Sequence, residues 1–299
     1  MKENALNSLD TASCPQCGNV SKWFISSSDV NRRISPEKFT YFRCPACELI
    51  FLSPIPSDLF KYYRGGYQKI PKSLSELRVI ANKERYRLDP ILKYGKTGKL
   101  LEVGPWMGIF SCNAKDAGFE VTTIEMDDEC VKFLRETVGV KAIQSQDPAA
   151  ALDGLTERFD VIAMWHCLEH MPRPWEVLRS AAARLLKGGI LLVAIPDIES
   201  YDFETLREHW LHLDAPRHLS FYTASTLERA CSQNGLSKIE ITTSDRLSSI
   251  LSWNAWSDVA SRRLPIRLAR RLLAHYLYSV AKRKSNGHGS GLTGVFLKG

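Results

Sequence analysis

The sequence predicts an α/β fold preceded by a small metal-binding module. Three observations point that way. From about residue 95, apolar runs of strand length alternate with helical stretches, the pattern of a parallel sheet with helical crossovers. One such run enters a glycine loop, "LEVGPWMGIF", residues 101 to 110. Finally, two C-x-x-C pairs sit close together near the N-terminus.

Along the chain, residues 1 to about 12 read as a loose tail. "KWFIS", "FTYFRC" and "LIFLS" suit short strands around the cysteines, and "SPIPSDLFKYYRGGY" is a proline-rich exit. Leu74, Leu77, Ile80 and Leu88 recur at helical spacing, with Ser73 as the expected cap. The strands expected next are "GKLLEV", "FEVTTIE", "VKAIQ", "FDVIAMW" and "GILLVAI", with helices around 109–117, 127–138, 149–155 and 174–186. "TASTLERACSQNGL" reads as a further helix, "SKIEITTSD" as a sixth strand and "GLTGVFLKG" as a seventh. The expected units are a ribbon with its tail over 1–56, a helical connector over 57–94, and an α/β domain over 95–299 with a helical insertion at about 248–290.

Composition limits the function classes. Apolar content of 44% and charged content of 24% are ordinary for a folded chain. No run approaches the roughly 18 to 20 apolar residues of a membrane span. The first residues lack the apolar core of a secretory signal, so the expected location is the cytoplasm. The net charge is +7, yet eight basic residues and no acid lie between Arg262 and Lys284. Removing those eight from 40 leaves 32 basic against 33 acidic residues, and so near-neutral a body argues against a nucleic-acid partner.

Cys14, Cys17, Cys44 and Cys47 place four thiolates in two tight turns, with 26 residues between Cys17 and Cys44. A two-residue spacer lets both sulfurs of a pair face one ion, which suits tetrahedral zinc. Four protein ligands leave no open position, so the expected zinc is structural, supplying folding energy to a segment too small to have its own core. The other four cysteines read as buried thiols.

The glycine loop reads as a cofactor site. Glu102 ends the first strand, and Gly104 and Gly108 permit close backbone approach. Glu125 ends the next strand 21 residues after Gly104, where an acid accepts both hydroxyls of an adenosine ribose. A dinucleotide's pyrophosphate favours a three-glycine turn, whereas S-adenosylmethionine carries no phosphate. Trp106 therefore speaks against a dinucleotide more than against S-adenosylmethionine.

With "FDVIAMWHCLEHMPRPWEVL" at 159 to 178 added, the chain resembles the class I S-adenosylmethionine-dependent methyltransferases. That resemblance implies a Rossmann-like seven-stranded sheet of order 3-2-1-4-5-7-6, strand seven antiparallel, with helices on both faces. It implies cofactor contacts from Glu102, Gly104, Trp106, Gly108, Glu125 and Asp147, and from Trp165 and His166 at the end of strand four. Trp106 stands where the family usually has glycine. The zinc-ribbon lead-in and "HLDAPRHLSFYTASTLERACSQNGL" (212 to 235) are similar to segments of bacterial glycan and deoxysugar methyltransferases. This implies a sugar, nucleotide-sugar or glycan acceptor, methylated at oxygen.

A hydroxyl acceptor calls for a general base, and histidine suits neutral pH. His166 and His170 bracket Glu169, and His209, His212 and His218 surround Asp214. His170, His212 and His218 are the candidate bases and Asp214 a candidate substrate contact. In the basic segment 262–284 an apolar stripe of Leu268, Leu272, Leu273, Tyr276, Leu277 and Val280 suggests either a peripheral membrane contact or a helix packed on its own protein. Two competing readings are a zinc-ribbon ribosomal RNA methyltransferase and a scaffold whose pocket Trp106 has closed. The number of copies in the assembly is not legible in the sequence.

Overall fold

The computed structural model describes residues 10–63, 69–264 and 266–299. The loose tail expected over residues 1–9 and the "RGGY" end of the proline-rich exit lie outside the described residues.

The N-terminal strands β1 (Thr11–Ser13), β2 (Val20–Ser28), β3 (Lys38–Arg43) and β4 (Ile50–Leu52) form an antiparallel sheet. α1 (Leu74–Lys83) and α2 (Asp89–Leu92) follow, the first capped by Ser73 as expected, its hydroxyl accepting from the Glu76 N–H. Leu77 and Ala81 of α1, with Leu88 and Ile91, bury themselves against the core on one face of the main sheet.

The main domain then alternates as the pattern requires. Its elements are β5 (Lys99–Val103), α3 (Ile109–Asp116), β6 (Glu120–Glu125), α4 (Asp128–Phe133), β7 (Lys141–Gln144), α5 (Pro148–Gly154) and β8 (Phe159–Trp165). After these come α6 (Pro174–Arg184), β9 (Leu185–Pro196), α7 (Tyr201–Leu206), β10 (Ser220–Phe221), α8 (Ala224–Ser232) and β11 (Leu236–Thr242). α9 (Arg246–Arg263), α10 (Arg267–Lys284) and β12 (Gly291–Lys298) end the chain. The seven-stranded sheet runs β7-β6-β5-β8-β9-β12-β11, which is the order 3-2-1-4-5-7-6. β12 is antiparallel to both neighbours, and the other recorded pairs are parallel. β8 and the second half of β9 are buried almost throughout, as strands covered by helices on both faces must be.

One pairing was not foreseen. β10, from the segment after β9, adds to β4 and makes the ribbon sheet five-stranded. A boundary at residue 56 therefore separates strands that share hydrogen bonds. Around this join a third core cluster forms, in which Tyr41, Ile50, Trp210, Leu213 and Phe221 pack together. The expected insertion at 248–290 is a pair of antiparallel-packed helices, α9 lying on β12 and α10 on α9.

Candidate active site

The loop after β5 is held by tight contacts that require glycine. Gly104 and Gly108 have φ of +70° and +83°. A Cβ on Gly104 would lie 2.6 Å from Cys167 Cβ, and one on Gly108 would lie 2.6 Å from a Leu134 methyl. Trp106 also adopts a positive φ, 51°, which is costly for a bulky side chain. The conformation aims the Trp106 N–H at Glu125 Oε2, 2.9 Å away. The indole packs, half-buried, beside the core that holds Met107.

Glu102 and Glu125 end adjacent strands, both nearly buried. Glu125 Oε1 accepts from the N–H groups of Met126 and Asp127 at 2.8 and 3.0 Å. With Trp106 that makes three backbone donors on a carboxylate with about four acceptor positions. Burial still raises its pKa, against those three bonds. Glu102 accepts a hydrogen bond from the Ser111 hydroxyl, and burial pushes its carboxyl up to about 7.

Strand β8 ends beside this loop. The Cys167 thiol donates to the Val103 carbonyl at 2.9 Å, and the His166 N–H donates to Ala194 of β9. His166 itself is left-handed, φ 51°. Its Nδ1 lies 3.2 Å from Glu169 Oε1, while its Nε2 is buried with no hydrogen-bond partner. Burial opposes ionisation of Glu169, but the His166 hydrogen bond and the electrostatic influence of His166, His218 and His170 together outweigh it, and the carboxyl pKa falls. Trp165 packs on Phe110, and the Arg87 guanidinium lies 5.4 Å from its ring.

The candidate bases gather around Glu169. His170 Nδ1 is 2.9 Å from the Arg217 carbonyl and His218 Nδ1 is 2.9 Å from the His212 carbonyl. The Tyr63 hydroxyl also lies 3.1 Å from His170 Nδ1. A carbonyl only accepts, so His218 Nδ1 carries the proton and, in the neutral ring, Nε2 keeps a lone pair. The His170 and His218 rings meet edge to face with centroids 4.6 Å apart. His218 Nε2 lies 3.9 Å from Glu169 Oε1 and 3.8 Å from Asp214 Oδ2. Burial, and then the neighbouring His170, lowers the His218 pKa to about 4, so the imidazole is neutral at physiological pH.

This geometry coincides with the comparisons to known proteins. The family described as "Methyltransferase domain" matches residues 76–241, more than half of the chain. The chain belongs to the methyltransferase-domain family. Its fold is shared with a solved S-adenosylmethionine-dependent methyltransferase. The chain is 28% identical over 177 residues to a ubiquinone biosynthesis O-methyltransferase of Thiobacillus denitrificans, covering 54% of this chain and 75% of that protein. A protein of the same name from a Caulobacter species is 30% identical over 100 residues, covering 32% of this chain and 40% of its own length. Among solved structures, a methyltransferase from Archaeoglobus fulgidus, titled as dependent on S-adenosylmethionine, superposes with a TM-score of 0.52 at 17% identity. It covers 73% of this chain and 94% of that one.

Three of the residues expected to contact ligands have other partners in this methyltransferase. Asp147 caps α5 through Ala150 and pairs with Arg173 at 3.0 Å. Asp214 is not a free substrate contact either. Arg217, fully buried, takes both of its oxygens at 2.5 and 3.0 Å and also reaches Asp29 Oδ1 at 2.8 Å, while Asn31 donates to Asp214 Oδ1. Burial would raise both carboxyls, but the Arg217 guanidinium holds them below their ordinary values. His212 commits Nε2 to the Leu251 carbonyl at 2.8 Å and so anchors α9. Its own carbonyl orients His218, which makes it a positioning residue.

The sequence reading missed Arg87 and Arg217. Arg87 pairs with Glu84 at 2.6 Å through Nη2, its buried Nε has no partner among the described residues, and it lies close enough to Glu102 to favour its charged form. Nothing in a helical connector marks that arginine. Arg217 stood in "DAPRH", three residues from Asp214, and that spacing on a turn was the available signal.

The four cysteines converge. Cys14–Cys47 and Cys17–Cys44 sulfurs are 3.5 Å apart, Cys17–Cys47 3.7 Å, and all four lie within 4.8 Å of one another. Sulfurs bound tetrahedrally at about 2.3 Å from one zinc are about 3.8 Å apart, so the set fits that ion. Both turns close alike, with Gly18 and Glu48 N–H groups donating to the Cys14 and Cys44 carbonyls. Glu48 is left-handed where the first turn has glycine, and Arg229 of α8 braces it at 2.8 Å.

Proposed function

We propose that this methyltransferase transfers a methyl group to a hydroxyl oxygen of a sugar, nucleotide-sugar or glycan intermediate, with His218 as the general base. The observation that carries the base is its tautomer. Nδ1–H is tied to the His212 carbonyl, so a neutral Nε2 lone pair stands between two carboxylates. When bound, S-adenosylmethionine supplies a sulfonium-activated methyl group. Glu125 and the loop at Gly104 and Gly108 would hold its adenosine, while Glu102 and Arg87 would take the ammonium and carboxylate of its methionine end. Trp165 and His166 wall the reacting side, excluding water. His218 takes the hydroxyl proton, and Glu169 and Asp214 stabilise the imidazolium that results.

The acceptor class rests on the resemblance of the ribbon and of residues 212–235 to glycan and deoxysugar methyltransferases. A phenolic hydroxyl is the second reading, favoured by the names of the ubiquinone O-methyltransferase relatives. Radiolabelled methyl transfer tested against nucleotide sugars and catechol-type phenols decides between them. Label on a sugar hydroxyl is expected, and label on the phenol alone would replace the first reading with the second.

We also propose that Cys14, Cys17, Cys44 and Cys47 hold one structural zinc. One equivalent per chain by elemental analysis is expected, with chelation unfolding the ribbon sheet. A metal-free protein of unchanged stability would dismiss it.

The raised pKa of Glu102 gives a pH test of the methionine end. An ammonium pairs best with the ionised carboxylate, so binding must expel the proton that Glu102 holds below about pH 7. Donor affinity by calorimetry is expected to weaken up to about tenfold per unit as pH falls from 7 to 5.5. Glu102→Gln should flatten that slope; a flat wild-type profile would remove Glu102 from the ammonium.

A further inference from the structure

The helical insertion presents a surface that methyl transfer does not use. Trp253 of α9 packs against His275 and Tyr278 of α10, with ring centroids 4.7 and 5.6 Å apart, and Ala274 and Ala281 are buried in the contact. Successive residues of a helix turn by about 100°. Leu268, Leu272 and Tyr276 therefore line up on the pole opposite Ala274, 68%, 64% and 64% exposed. Ile266, just before the helix, is 66% exposed. Leu273, Leu277 and Val280, from the same sequence stripe, lie half-buried on the side toward the protein. Arg271, Lys282 and Arg283 are exposed beside the apolar line or at its C-terminal end, and no acid occurs between 262 and 284.

We propose that α10 is an interfacial anchor for a bilayer containing anionic phospholipid. Leu268, Leu272 and Tyr276 enter the boundary between headgroups and acyl chains, and the flanking cations meet lipid phosphates. Among the described residues nothing covers this contiguous apolar line, and its cationic border selects an anionic partner. A second copy fits poorly, because symmetric pairing would set like charges face to face. Among the described residues no helix is long and apolar enough to cross a membrane, so the contact lies in the plane of the interface. α9 stands between α10 and His212, placing the acceptor-side loop one helix away from the lipid. The inference is independent of the acceptor.

The test is sedimentation of the full chain with vesicles of phosphatidylcholine, alone or with about a third phosphatidylglycerol. Binding to the anionic vesicles only, weakening as salt rises, is expected. Leu268→Ser with Leu272→Ser should reduce it about tenfold or more, and Arg271→Gln with Arg283→Gln about fivefold per charge. These side chains are exposed, and an unchanged circular dichroism spectrum confirms that each variant folds. Three results overturn the proposal. One is no sedimentation, or equal sedimentation with neutral vesicles. Another is a dimer by light scattering that the double-leucine variant dissolves. The last is an RNA oligonucleotide that displaces the vesicles and binds the double-leucine variant undiminished.

Discussion

His218→Ala is expected to lower kcat by about 10²- to 10⁴-fold, the usual contribution of a positioned base, with donor affinity changed little. The cofactor loop and Glu125 are anchored to each other rather than to His218, so binding and chemistry separate. His218→Asn keeps a polar side chain at the His212 carbonyl and controls for misfolding, since an amide can donate there but cannot take the proton. In the wild type the imidazole is neutral above about pH 4, and the base works only when neutral. At saturating donor the rate should therefore hold as pH falls through 6.5 and decline toward 4. Single-turnover rates would check both statements. A His218→Ala rate within about tenfold of wild type would take the proton-transfer role away from this residue.

Arg217→Ala is expected to destabilise the fold by about 3 to 5 kcal/mol, because it leaves the buried carboxylates of Asp29 and Asp214 without their cation. For a chain of this size the loss corresponds to a fall on the order of 10 °C in Tm. Arg217→Lys should recover only part of it, since one ammonium cannot reproduce the two parallel bonds to Asp214 together with the bond to Asp29. The effect is structural in origin, because Asp29 belongs to the ribbon turn and Asp214 to the loop carrying His218. The triad clamps the N-terminal sheet to the loop that carries His218. Differential scanning calorimetry reads the shift, and a Tm within about 2 °C of wild type would mean that the triad adds nothing net.

Much of the architecture was legible because it follows from local periodicity. Strand-length apolar runs between amphipathic helices leave few ways to bury both kinds of face. The observed strands overlap the expected ones, and the sheet order is the one the resemblance implied. The cysteine pairs were legible too, since a two-residue spacer brings two sulfurs together within one turn.

Polar side chains were less legible, because their partners lie far along the chain. Asp214 beside three histidines looked like a ligand, but the guanidinium three residues on balances its charge together with that of an aspartate 185 positions earlier. Glu125 kept its place at the strand end, yet its carboxylate also orders the loop through Trp106. Asp147 became a helix cap because the chain enters α5 there.

Residue spacing alone therefore dictated which segments become strands and helices, where the backbone must turn on glycine, and which thiols can share an ion. Those are short-range properties, set by bond geometry and side-chain period. Folding in three dimensions decided which imidazole nitrogen keeps a lone pair, which carboxylate is spent on a guanidinium, and which half of the α10 stripe meets water. Each of these depends on the packed structure, through contacts such as Arg217 with Asp29, 188 positions apart, and α10 with α9, where burial and paired charges together set the ionisation of the groups involved.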